Sequence, residues 1–351
     1  MRIIIIIYSI LFYSCQYTSK YKDAHSFNYN DIPMAKVLNG KTVNLEDSVI
    51  MPVQLSVVNA ELLLLNIRTE MFIHKFNLSS MRKTGESVPF GRGPNEMLEA
   101  RKIQVVDSSI WLYDKMARKI HKYNMNDFCY SDDPEVKRTV HYKEFLDDIS
   151  ILSDNIFVVT KLPLSDENYN RLFFFDMDGN LISQKGYLPD DGVKKTFFEY
   201  GQATLCNLAV NLLEKKICLT YKLTDLIEIY DFEGNLLKRI HGPEKFFAQI
   251  RQNNENNGEI TIAPLKGKTR DAYFCPVNYN NEIWTLYSGQ YWGDSNNNEL
   301  LSTIIVFDWE GNPLRHYKLD PSVFTFTFDE QNKKIYAITN DPEFHIVKFD
   351  L

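Results

Sequence analysis

The sequence predicts an all-β protein: a six-bladed β-propeller of four-stranded antiparallel blades, its ring closed by an N-terminal strand that completes the last blade. Three observations carry this. The first is a repeated hairpin. Residues 226–240 form an apolar run ending in Tyr230-Asp231, a tight turn containing Gly234-Asn235, and a second apolar run. Gly and Asn tolerate the positive φ that such turns need. The arrangement recurs at 171–184 and 303–317, and looser copies end in Phe76-Asn77, Tyr123-Asn124 and Phe349-Asp350. A supersecondary unit repeated along a chain marks a ring or an array. The second observation is that strands such as 172–175 and 304–307 are apolar at consecutive positions. Both of their faces must be covered, as in small sheets stacked around an axis. The third lies at the termini. The last copy stops after its third strand at Leu351, while residues 35–40 resemble a fourth strand (compare 237–242). Pairing the two would close the ring and cover an open edge.

The elements follow in order. Arg2 precedes an apolar run at 3–12, the length of a signal-peptide core and too short to span a bilayer. Ser14-Cys15 follows directly, which resembles the lipobox of bacterial lipoproteins, where the Cys thiol is acylated. A plain secretory signal with an incidental cysteine is the alternative. Residues 1–14 thus read as signal peptide, 15–30 as a polar and aromatic tether, and 31–351 as the propeller. Blade one takes strands at 53–58, 62–66, 71–76 and 81–84; blade two at 102–106, 110–113, 119–123 and a displaced 136–142. Blade three runs from 149 through 156–161 and 172–175 to 181–185. Blade four has 204–210, 216–221, 226–230 and 236–240; blade five 272–276, 282–287, 303–307 and 314–319; blade six 323–328, 334–339 and 344–349. A short helix is expected only within 243–251.

The segment Gly91-Arg92-Gly93-Pro94-Asn95-Glu96 stands between blades one and two. Together with the signal, Cys15 and the six hairpins, it resembles the TolB-like six-bladed β-propeller lipoproteins of bacterial envelopes, in which a Gly-x-Gly-Pro-x-Glu segment links those blades. The resemblance covers about residues 31–351. It implies a fold and an envelope location, anchored through lipid and facing the periplasm or the surface. It implies no shared reaction. The N-terminal residues depart from the usual lipobox, with Phe12 and Tyr13 where smaller aliphatics are common.

Read from its residues, the Gly-rich segment is a corner. It lacks the Gly-Lys-Ser/Thr ending of a phosphate loop. Gly91 and Gly93 are expected at unusual φ, and the Glu96 carboxylate is expected to accept backbone N–H groups. Residues 241–244, His-Gly-Pro-Glu, form a reduced copy. The Asp-x-Asp-Gly-Asn run from Asp176 fails the spacing of a calcium loop. None of the seven histidines falls on a predicted innermost strand, so no channel metal ligated by His is expected, while a carboxylate-bound calcium stays open. No cofactor is expected. No Ser-His-Asp or Cys-His arrangement marks a catalytic centre. Cys206 and Cys218 flank a predicted turn, and either a disulfide or two buried thiols fits.

The net charge is −7 and no basic tract stands out, which argues against nucleic acid as a partner. The long connections are 85–100, 186–203, 241–270, 162–170 and 288–302. All emerge on one face of an up-and-down ring, and long loops on a rigid scaffold are where binding resides. Residues at the starts of innermost strands should ring the channel mouth there: Arg101, Asp147, Asp148, Gln202, Arg270, Asp271 and Asp320. The expected activity is binding of a small polar ligand or an envelope protein at this face. A hydrolase or lyase using carboxylates at the mouth is the alternative.

Overall fold

The computed structural model describes residues 21, 23–45, 51–163, 169–254, 260–293 and 300–351. Cys15 and the signal segment lie outside them. Three short strands precede the ring: β1 (Ala24–Ser26), β2 (Met34–Asn39) and β3 (Lys41–Val43). Blade one is β4 (Pro52–Val58), β5 (Glu61–Asn66), β6 (Met71–Asn77) and β7 (Lys83–Pro89). Blade two is β8 (Ala100–Val106), β9 (Ser109–Asp114), β10 (Lys119–Asn124), the helix α1 (Met125–Tyr130) and β11 (Val136–His141). Blade three is β12 (Asp148–Ile151), β13 (Ile156–Thr160), β14 (Leu172–Asp176) and β15 (Leu181–Lys185). After α2 (Phe197–Ala203), blade four is β16 (Cys206–Asn211), β17 (Lys216–Tyr221), β18 (Leu226–Asp231) and β19 (Leu236–His241). A two-stranded hairpin, β20 (Ile250–Asn254) and β21 (Ile260–Pro264), leads to blade five: β22 (Tyr273–Tyr279), β23 (Glu282–Tyr287), β24 (Leu301–Phe307) and β25 (Pro313–Val323). Blade six is β26 (Thr325–Asp329), β27 (Lys334–Thr339) and β28 (His345–Asp350), completed by β3.

Among the described residues the hydrophobic core is six slabs between neighbouring blades, with a small further cluster of Ala203, Leu223 and Ala248. One slab joins Trp284, Ile304 and Val306 of blade five to Phe326, Ile335 and Phe349 of blade six. Another joins Leu62, Leu64 and Phe76 of blade one to Tyr336 and Ile338 of blade six, with Val43 of β3 between them. The second and third strands of each blade are therefore buried on both faces, as β5 is along its whole length. Each such Leu, Ile or Phe contributes about 1.5–3 kcal/mol.

The three Asp-x-x-Gly-Asn turns are built alike. In each, the Asn N–H and Nδ2 donate to the two oxygens of the Asp carboxylate, at 2.7–3.1 Å. The glycines sit at φ +79° to +83° and press on the outermost strand of the preceding blade. The repeated turn is thus also an inter-blade contact.

The N-terminal segment closes the ring, but with a different stretch from the one expected. Lys41–Val43 pair antiparallel with β28. The expected strand at 35–40 lies instead in β2, parallel to β25, as a fifth strand of blade five. Both segments are short edge strands with few buried positions, so alternation does not separate them. Where it is described, the expected tether is docked: β1 pairs parallel with β19, and Tyr21 and Phe27 are buried. No helix forms within 243–251, where the chain passes Gly242-Pro243 in the cis form. The helices form where caps exist, at Asn124 and in the capping box of Thr196 and Glu199. Cys206 faces Tyr221 and Cys218 faces Ala209, and both thiols are free and buried.

Candidate functional site

The six innermost strands enclose a central channel. Gln54, Lys102, Leu208, Val277 and Phe326 line both of its chambers, one of about 470 Å³ and one of about 510 Å³. The innermost strands are free edges, and side chains tie them together. Gln54 accepts the Ile103 N–H and donates to its carbonyl, both at 2.8 Å. Gln104 does the same with Ile151 at 2.7 and 2.9 Å. Asp148 accepts the Leu208 N–H at 2.7 Å and the Lys102 ammonium at 2.8 Å. Each tie satisfies backbone groups of the next blade.

The 510 Å³ chamber opens on the loop-rich face and carries charges of both signs. Arg101, Asp147 and Asp148 are all in its lining. Asp148 is consumed by these two bonds and a third, from the Ile149 N–H at 2.7 Å. Arg101 is exposed and paired with Glu99. The Asp147 carboxyl makes no hydrogen bond or ion pair among the described residues. Burial holds it above the usual carboxylate range, against the pull of the nearby Lys222. Lys222 and Lys115 also line this chamber. Neither ammonium has a hydrogen bond or ion pair among the described residues.

Beside the mouth lies a cavity of about 660 Å³ with Phe274, Trp292, Leu301, Phe324 and Phe344 in its walls. Asp271 opens into it and is 6% exposed. Burial pushes its carboxyl up to about 6. Its neighbour Arg270 is tied outwards, to Glu244 and the Tyr291 hydroxyl, with its guanidinium 4.4 Å from the Tyr291 ring. Gln202 sits on α2 and lines none of these cavities. Asp320 is exposed on β25, paired in register with Asn39 at the outer edge of blade five. The channel mouth thus gathers Arg101, Asp147 and Asp148, with Asp271 beside it; Gln202, Arg270 and Asp320 stand apart. β25 runs on to Val323, which is why Asp320 lies within an outer strand rather than starting an inner one.

In the Gly-rich corner, the Glu96 carboxylate accepts the Gly93 N–H at 2.6 Å. Neither glycine is at positive φ. Proximity is what requires them: a Cβ on Gly91 would stand 1.9 Å from Glu96 Oε2, and one on Gly93 2.9 Å from its Cδ. The corner is closed by the Gly91 N–H on the Met97 carbonyl at 2.9 Å, and neither Arg92 nor Pro94 lines a cavity described above.

The family model described as "TolB-like 6-blade propeller-like" matches residues 27–331. The chain belongs to this TolB-like family. No curated protein matches the sequence. Among solved structures, a DUF4221 family member from Bacteroides vulgatus shares 10% identity over 89% of this chain and 95% of its own, with a TM-score of 0.58. A protein from Bacteroides fragilis shares 11% over 93% and 98%, at 0.50. Virginiamycin B lyase from Staphylococcus aureus shares 12% over 89% and 98%, at 0.48. At such identities the likeness is one of fold.

Two site residues of this TolB-like propeller escape a reading of strand starts, because they lie at strand ends. Lys115 directly follows β9 and Lys222 directly follows β17. Lys161 holds the same place after β13, where it pairs with Glu144. Aligning the six repeats would have shown this recurring lysine.

Proposed function

We propose that this protein is a bacterial cell-envelope lipoprotein whose propeller binds a small polar ligand, or an exposed segment of an envelope protein, at the loop-rich mouth. The observation that carries the reading is the set in the 510 Å³ chamber left without side-chain partners among the described residues: Lys115, Lys222 and Asp147. Half-buried charges left without partners in a concave site cost stability, and a ligand that pairs them recovers it. Two ammonium groups beside one carboxyl suit a ligand with an anionic end and a polar or cationic remainder. Anchoring is supported by Arg2, the apolar run at 3–12 and Ser14-Cys15, and the envelope by membership of the TolB-like family. Among the described residues no helix is long and apolar enough to cross a membrane.

The test is capture from envelope extracts by the full chain. Lys115→Gln/Lys222→Gln should lose capture. Glu233→Ala and Glu310→Ala, in the turns Asp231–Asn235 and Asp308–Asn312 on the opposite face, should keep it. If the lysine variant captures normally and the turn variants fail, the binding face is the other end of the ring. Cys15→Ser should release the protein from membranes; unchanged association with no lipid on the wild-type N-terminus would remove the anchor.

A further inference from the structure

The cavity beside the mouth is built differently from the channel. Its walls are mainly apolar and aromatic, with Phe274, Trp292, Phe324 and Phe344 among them. Into this lining opens one carboxylate, Asp271, 94% of whose surface is buried. The backbone around it is fixed: the Asp271 N–H donates to the Gln290 carbonyl and its own carbonyl accepts the Gly289 N–H, both at 2.9 Å. The carboxylate oxygens have no hydrogen bond and no ion pair among the described residues. Arg270, the adjacent cation, is directed to Glu244 and Tyr291 instead. Lys222 also lines the cavity, but it shares the channel chamber with Asp147, whose carboxyl it stabilises; burial alone acts on Asp271.

A buried carboxylate used only for structure has donors around it. This one shares its cavity with Phe274, Trp292, Phe324 and Phe344, and an aromatic face attracts a cation and repels an anion. We infer that this cavity is a binding site for an organic ammonium ion with an apolar body, Asp271 serving as the counter-ion and the aromatic rings as the walls. The inference deepens the reading of the loop-rich face as the binding face, and adds the chemistry of one part of the ligand. It does not depend on Lys115.

The test is calorimetric titration of the full chain with phenethylamine, with phenethyl alcohol as the neutral analogue and phenylacetate as the anionic one. A charge-assisted hydrogen bond to the Asp271 carboxylate should favour the amine over the alcohol by about tenfold or more. Asp271→Asn should abolish that preference, and Glu233→Ala, in the turn Asp231–Asn235 on the opposite face, should preserve it. The inference is overturned if the amine fails to bind at millimolar concentration, if the alcohol or phenylacetate binds as well as the amine, or if Asp271→Asn binds the amine unchanged. Loss of extract capture in the lysine variant, with amine binding by the unsubstituted chain, would sustain both readings; normal capture by the lysine variant, with amine binding by the unsubstituted chain, would sustain this one and refute the other.

Discussion

Replacing Asp271 by Asn should make the protein more stable, and only above a certain pH. The carboxyl titrates at about 6 in the folded chain, against 3.8 ordinarily, because burial disfavours its charged form. The folded state therefore holds this proton to higher pH than the unfolded state. The resulting stability is fully present below about pH 4 and is lost as pH rises through about 6. A shift of this size corresponds to about 3 kcal/mol, and water reaching the carboxylate through the cavity reduces that to about 2 kcal/mol. Asn keeps the shape and carries no charge, and the backbone bonds at 271 do not involve the side chain. Urea unfolding of both chains should give matching stabilities near about pH 4 and a variant more stable by about 2 kcal/mol near about pH 8. The same substitution should remove the preference for amines, so stability and binding would move in opposite directions. A variant destabilised at both pH values, or a gap that does not change with pH, would refute the reasoning.

Two further outcomes test the ring itself. Gly179→Ala should cost more than Gly311→Ala. Both positions have positive φ, which costs about 1–2 kcal/mol for a side chain. The new Cβ at 179 meets the His141 carbonyl oxygen at 1.8 Å, whereas at 311 it meets the flexible end of Ile240 at 2.6 Å. Unfolding midpoints in the reverse order would show that the turns do not press on the preceding blade. Val43→Asp should cost about 3 kcal/mol or more by burying a charge in the last inter-blade slab, while Val37→Asp, 48% exposed on β2, should stay within about 0.5 kcal/mol. Equal losses would mean that β3 does not carry the closure.

The repeated turn made the fold legible. Asp176, Asp231 and Asp308 specify the same bonds wherever they occur, and doubly apolar strands such as Leu172–Asp176 leave no solvent face. Additions to blade edges were not legible. β1 and β2 join parallel and mostly exposed, so their sequences carry little alternation. The hairpin of β20 and β21 sits inside a long connection that composition reads as loop. Placing charges at strand starts did bring Arg101, Asp147 and Asp148 to the channel, because each innermost strand begins at that face. It failed for Gln202, whose segment is helical, and for Asp320, which belongs to the extended β25. Lys115 and Lys222 lay outside that rule because strand ends of the second position reach the same mouth.

Adjacent residues at these strand starts divide the work. Successive side chains along an extended chain point to opposite sides. Asp148 turns to the next blade, accepts the Leu208 N–H and the Lys102 ammonium, and so belongs to the scaffold. The Asp147 carboxyl, one residue earlier, makes no hydrogen bond or ion pair among the described residues and lines the chamber. Arg270 turns outwards to Glu244 and Tyr291, while Asp271 opens into the aromatic cavity. The scaffold thus needs one member of each pair, and the other is free to be chosen for a ligand. Because stability resides in the slabs between blades, Lys115, Lys222, Asp147 and Asp271 can stand without side-chain partners among the described residues until something binds them.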